Sequence, residues 1–160
     1  MRELSYNRTA AVNYARKWAL SRNPAYYDFE NIGGDCTNFA SQCVFAGSGV
    51  MNFTPVTGWF YKSANDRTPS WTGVEFFHDF LINNRSVGPY EKEVSRNEVQ
   101  PGDIAQLGGS NGRFYHSPVI IAVKPVILIA AHTFDALDRQ LDSYMYDAVR
   151  FLHIDGVRAW

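Results

Sequence analysis

Gly33-Gly34-Asp35-Cys36-Thr37-Asn38-Phe39-Ala40-Ser41-Gln42-Cys43, residues 33 to 43, is the stretch around which the rest of the chain can be organised. Paired glycines make a turn, Asp35 is a good N-cap residue, and Cys36, Phe39, Ala40, Cys43 and Val44 recur at helical offsets. The pattern predicts a helix from Cys36 to about Ala46, with Gly47 just past its end. A cysteine then sits in the first turn of a helix. Backbone N–H groups there lack intrahelical acceptors, and the helix dipole is positive at that end. Both effects favour thiolate, and such cysteines reach pKa values of about 3.5–7.5. The same N–H groups can hold an oxyanion formed beside the sulfur. The glycines let a substrate backbone come close.

Working outward, Ser5 to Arg22 reads as a first helix. Tyr6, Ala10, Ala11, Tyr14, Ala15 and Trp18 form its apolar stripe, and Asn23-Pro24 stops it. Residues 48–71 read as irregular and carry Trp59 and Trp71. A third helix is expected over Thr72 to Asn84, with Val74, Phe77, Phe80 and Leu81 inward and Gly88-Pro89 closing it. Beyond Pro101 the pattern turns strand-like. Ile104 to Leu107 is followed by a Gly-rich turn at 108–112 and by Phe114 to Val123. Lys124-Pro125 then turns the chain into Val126 to His132. Residues 133–147 carry no clear pattern, and Val149 to Ile154 alternates as a last strand. Helices first and an antiparallel meander second is an α+β layout. At 160 residues the chain is expected to be one domain, 1–160.

The composition, 46% hydrophobic and 19% charged, is that of a globular protein and excludes disorder. A net charge of −1 leaves no basic field for nucleic acid or anionic lipid, so neither partner is expected. No run of 18 apolar residues occurs, so no membrane span is expected. The first residues lack the apolar core of a signal peptide. A cytoplasmic chain and a mature piece of a secreted precursor both fit that observation. Aromatic residues at 15% fit either a large-residue core or an aromatic-lined cleft, with Trp59 and Trp71 the candidates for the cleft.

Cys36 and Cys43 are the whole thiol inventory. Seven residues apart on a helix, their Cα atoms would be about 10.5 Å apart, beyond the roughly 4.4–6.8 Å that a disulfide spans. Both are therefore expected free, Cys43 as core and Cys36 as nucleophile. A thiolate works best beside an imidazole that returns a proton to the leaving amine. His116 and His132 are equidistant from Lys124, so a hairpin there would face them across the ladder, His116 as base and His132 or Asp135 orienting it. Grouping Cys36, His116 and His132 around zinc is disfavoured, because no short-range ligand pair occurs; no metal is expected. Asp35 and Thr37 read as helix caps or substrate contacts. His78 reads as a solvated surface residue and His153 as structural.

The 33–43 stretch resembles the signature of the putative amidase domain family of Gram-positive bacteria, a relative of the NlpC/P60 and CHAP papain-like cysteine hydrolases. Tyr6-Asn7-Arg8, Ser70-Trp71-Thr72, Pro101-Gly102-Asp103-Ile104, His116-Ser117 and His132-Thr133 follow in the family's order, so the resemblance covers most of the chain. It implies a papain-like fold with the cysteine helix packed on an antiparallel sheet. It also implies Cys36 as nucleophile, His116 as base and His132 as third residue. The implied reaction is hydrolysis of an amide in peptidoglycan peptides, with no cofactor and with Asp35 holding a stem-peptide amine. Thr37-Asn38 stands where NlpC/P60 proteins usually have Ser-Gly. An extracellular or cell-envelope location would follow from such a substrate. Two rivals are a non-catalytic wall-binding module docking through Trp59, Trp71 and the tyrosines, and a cysteine acyltransferase with an amine in place of water. The sequence sets no oligomeric state.

Overall fold

A computed structural model describes residues 1–160. The fold is α+β. Helices α1 (Arg8–Trp18), α2 (Cys36–Ser48), α3 (Pro69–Thr72) and α4 (Val74–Asn83) pack against an antiparallel sheet. The strands are β1 (Arg2–Leu4), β4 (Gly88–Val94), β5 (Ile104–Gly108), β6 (Phe114–His116), β7 (Val119–Ala122), β8 (Leu128–Ala131), β9 (Ala136–Gln140) and β10 (Ala148–Ala159). A separate two-stranded ribbon joins β2 (Tyr61–Ser63) to β3 (Asp66–Arg67). The main sheet runs β1-β10-β5-β7-β8-β9, with β4 also on β10 and β6 also on β5.

Period-two alternation sends neighbouring residues to opposite sides of the sheet. Ile104, Val119, Ile121, Ala130, Leu152 and Ile154 face the helices and join Phe39, Cys43, Val44, Trp59, Trp71 and Phe77 in the larger core. Ala105, Ile120, Ile129, Ala131 and Phe151 form a second core on the other face with Leu141 and Val99. His132 follows the same alternation: two residues beyond Ala130, it reaches the helix side.

The helix α2 is buried nearly all round, with eleven of its residues inaccessible. Its polar side chains are matched inside the protein, as burial demands. Ser41 accepts from Trp59 Nε1 and donates to the Trp71 carbonyl, Asn38 accepts from Trp71 Nε1, and Gln42 accepts from the Tyr14 hydroxyl. Trp59 and Trp71 are therefore core residues, fully buried, which decides for core packing against the cleft lining that the sequence also allowed. Their indole N–H groups have partners within the core, which is what lets such large amphipathic rings be enclosed.

Several expected boundaries move, each for a physical reason. The first helix is shorter than Ser5–Arg22, because Asn7 caps it by accepting from Ala10 N and the Trp18 carbonyl turns to His132. The cysteine helix runs on past Ala46 to Ser48, so Gly49, left-handed at φ 67°, and not Gly47, ends it. The third helix breaks into α3 and α4 at Gly73. The Phe114–Val123 stretch breaks into β6 and β7 at Ser117-Pro118, where proline offers no N–H to a ladder. Strands β1, β4 and β9 lie outside the expected elements. The last strand extends to Ala159 and pairs with β1, β4 and β5. No helix is long and apolar enough to cross a membrane.

Candidate active site

Gly33 and Gly34 adopt left-handed φ of 83° and 95° and turn the chain into α2, so Cys36 opens the helix. Phe39 N donates to the Asp35 carbonyl, while the N–H groups of Cys36, Thr37 and Asn38 have no backbone acceptor. Three donors are thus left beside the sulfur. Cys36 is 8% exposed and Cys43 is enclosed in the core; both are free thiols. Burial pushes the Cys36 thiol up from its ordinary value, against the lowering expected from the helix start. The Thr37 hydroxyl and the backbone N–H groups of Ser117 and Thr37 pull in the opposite direction, toward thiolate, without overcoming burial.

These contacts bring β6 to the cysteine. Thr37 Oγ1 lies 3.7 Å from Cys36 Sγ and 3.1 Å from Ser117 Oγ. Ser117 accepts from Gln106 Nε2, which also donates to the Val74 carbonyl. His116 precedes Ser117 and is 7% exposed. Its ring stands 5.4 Å from that of Tyr144, and neither of its nitrogens has a hydrogen-bond partner. Burial, with the nearby positive charge of Arg139, lowers its pKa to about 4. In the unliganded protein both groups of the pair are thus favoured neutral, as thiol and imidazole. Catalytic hydrogen bonds in free enzymes are commonly long and tighten only around substrate.

The expected facing of His116 and His132 does not occur. His116 lies opposite Leu107 on β5, because the break at Ser117-Pro118 takes it off the β7–β8 ladder. The ring of His132 is instead held between α1 and α2. Its Nδ1 meets Asp35 Oδ2 at 2.5 Å, its Nε2 meets the Trp18 carbonyl at 2.8 Å, and it stacks on Phe39 with centroids 4.0 Å apart. Nor does Asp135 reach His116; it pairs with Arg22 at 2.9 Å.

Asp35 is 1% exposed and its side chain neither caps α2 nor faces outward. One carboxylate oxygen accepts from Phe29 N and Asn38 Nδ2, and the other meets His132. Enclosed and engaged by these groups, it does not face out toward a substrate amine, contrary to the expectation. Thr37 is 1% exposed and stands between Cys36 and Ser117. His78, expected at the surface, is buried with Nδ1 2.5 Å from Glu91 Oε1; its partner comes from β4, a strand outside the expected elements. His153 lies between Asp103 and Arg8, a structural setting.

Two residues beside His116, Arg139 and Tyr144, are absent from the candidates that the sequence offers. They lie in the 133–147 segment, which is polar and carries no clear period. No cluster of three or more His, Cys, Asp or Glu side chains is placed to hold a metal ion. A cavity of about 500 Å³ opens between the 52–57 loop and α4, and neither Cys36 nor His116 lines it.

An uncharacterized protein of Bacillus subtilis (strain 168), YhbB, is 34% identical over 140 residues, which cover 84% of this chain. The chain spans 44% of that relative's length. No solved structure matches. Residues 5–154, which carry the cysteine helix, the β6–β8 strands and most of β10, match the model of the putative amidase domain. The chain belongs to the putative amidase domain family.

Proposed function

We propose that the protein is a cysteine-dependent amide hydrolase acting on peptidoglycan peptides, with Cys36 as nucleophile and His116 as base on a papain-like fold. The observation that carries the reading is the start of α2: a sulfur at a helix end whose first three N–H groups have no backbone acceptor, with Ser117 and hence His116 brought to it through Thr37. Family membership supports amide chemistry. The resemblance to the NlpC/P60 and CHAP enzymes supports the wall substrate.

In this reading His116 takes the thiol proton as Sγ attacks the amide carbonyl carbon. The oxygen gains negative charge and is held by the Cys36 and Thr37 N–H groups. Collapse breaks the C–N bond, and His116 returns its proton to the leaving amine. Water then attacks the thioester with His116 again as base, freeing the carboxylic acid and the thiol. The neutral resting pair suits this order, because the proton moves only when substrate is present. His132 and Asp35 act one step away. Their bond ties the N-terminus of α2 to the ends of α1 and β8, and so fixes where the N–H groups point. The burial of Trp59 and Trp71 takes both tryptophans out of the docking surface of a non-catalytic wall-binding reading.

The test is mass spectrometry of purified peptidoglycan fragments after incubation with wild type and Cys36→Ser. New amine and carboxylate termini with wild type alone are expected. Unchanged fragments, or equal cleavage by the variant, would overturn the proposal.

A further inference from the structure

Next to His116 stand two side chains, in contact with each other, whose hydrogen-bonding capacity the protein leaves partly unused. The Tyr144 hydroxyl is buried and has no hydrogen-bond partner. Such an orphan calls for a reason, because a buried donor left unpaired is destabilising. The Arg139 guanidinium lies over the same ring, its carbon 3.5 Å from the centroid. Its hydrogen bonds go only to Ser143, from Nε to the hydroxyl at 2.8 Å and from Nη2 to the carbonyl at 3.4 Å. Nη1 stays free. The acids on either side of it in sequence are committed elsewhere, Asp138 to Arg16 and Asp142 to Arg96. Arg139 is thus an uncompensated cation with one edge held in place and the other open. It sits near enough to His116 for its charge to weigh on the imidazole.

We infer that Arg139 and Tyr144 form a subsite for a carboxylate group of the substrate, next to the scissile amide. Guanidinium and phenol hydroxyl both donate and neither is charge-balanced, the combination that recognises an anionic oxygen pair. The Arg139 guanidinium lies over the Tyr144 ring and the His116 ring stands 5.4 Å from it at a 58° tilt, so an anion held by the pair would lie close to His116. The inference rests on the proposed hydrolase reading for the word substrate, and it narrows that substrate to amides whose acyl or amine part bears a free carboxylate. A bound carboxylate also offsets the Arg139 charge, so the base accepts a proton more readily once such a substrate is in place.

The experiment is an NMR titration following the His116 imidazole signals, assigned by comparison with His116→Gln. The probes are N-acetylglutamate and its uncharged counterpart N-acetylglutamine amide, in which both carboxyl groups are amidated. In wild type, saturable shifts are expected with N-acetylglutamate and none with N-acetylglutamine amide. Arg139→Gln and Tyr144→Phe should each weaken the binding about tenfold or more, and Arg139→Lys should restore part of it. Absence of saturable shifts, equal response to both probes, or unchanged binding in both variants would overturn the inference. No turnover is needed for this readout. Amide cleavage with a silent titration therefore removes the subsite alone, and a positive titration without cleavage removes the hydrolase reading alone.

Discussion

At the scale of the residue, the cysteine and the histidine respond to burial before anything else. The helix start alone would hold Cys36 as thiolate, but desolvation outweighs the nearby donors. His116 is shifted in the complementary direction, to about 4. Unfolded, a histidine titrates near 6.5. Between about pH 4 and 6.5 the unfolded chain therefore binds the proton at this site and the folded chain does not. Stability is thus lost as the pH falls through that window, by about 3 kcal/mol from this residue if the whole window is crossed. His116→Gln, which cannot titrate, should lose less stability than wild type on acidification, by up to that amount. Urea unfolding at neutral pH and near pH 4.5 measures the difference; equal pH slopes for the two proteins would contradict it.

At the scale of the element, the cysteine helix is legible because its start is written in local chemistry, two glycines followed by an apolar period. Its end is not. Gly47 looks like a terminator, yet it lies inside α2 because the helix must pass close to the segment before α1. A Cβ on Gly47 would meet Tyr6 Cε1 at 2.5 Å and the Asn7 carbonyl oxygen at 2.8 Å. The Asn7 N–H donates to the Gly47 carbonyl in the same contact. Gly47→Ala should therefore be destabilising, by about 1–3 kcal/mol, although alanine is the better helix former. Thermal unfolding checks this, and a raised Tm would contradict such close packing of α2 on Tyr6 and Asn7. The position of His116 is not legible for a related reason. Hairpin arithmetic assumes an unbroken strand, and Pro118 breaks it. Asp35 next to the cysteine then supplies the better partner for His132, a contact spanning 97 residues that no spacing rule encodes.

At the scale of the whole molecule, the α+β layering and the antiparallel sheet can be read in advance, since the periodicity changes near Pro101. The sheet's closure cannot. β10, predicted as a short last strand, lies among β1, β4 and β5, and β1 and β4 come from the half of the chain that reads as helical. β4 carries Glu91, Lys92 and Glu93, so it lacks the apolar alternation that marks a strand, and its buried Glu91 is matched by His78 from α4. The site inherits this architecture. Cys36 comes from the helical half and His116 from the strand half. The 133–147 segment, loop and short strand together, adds Arg139 and Tyr144 beside them.

The proposed catalysis turns on the pairing of Cys36 with His116, and alkylation followed by peptide mapping tests it most directly. With iodoacetamide, wild type should take up its first acetamide group at Cys36 while Cys43 stays unmodified, and His116→Ala should slow that labelling by about tenfold or more. Equal, slow labelling of the two cysteines, or a Cys36 rate indifferent to His116→Ala, would contradict it.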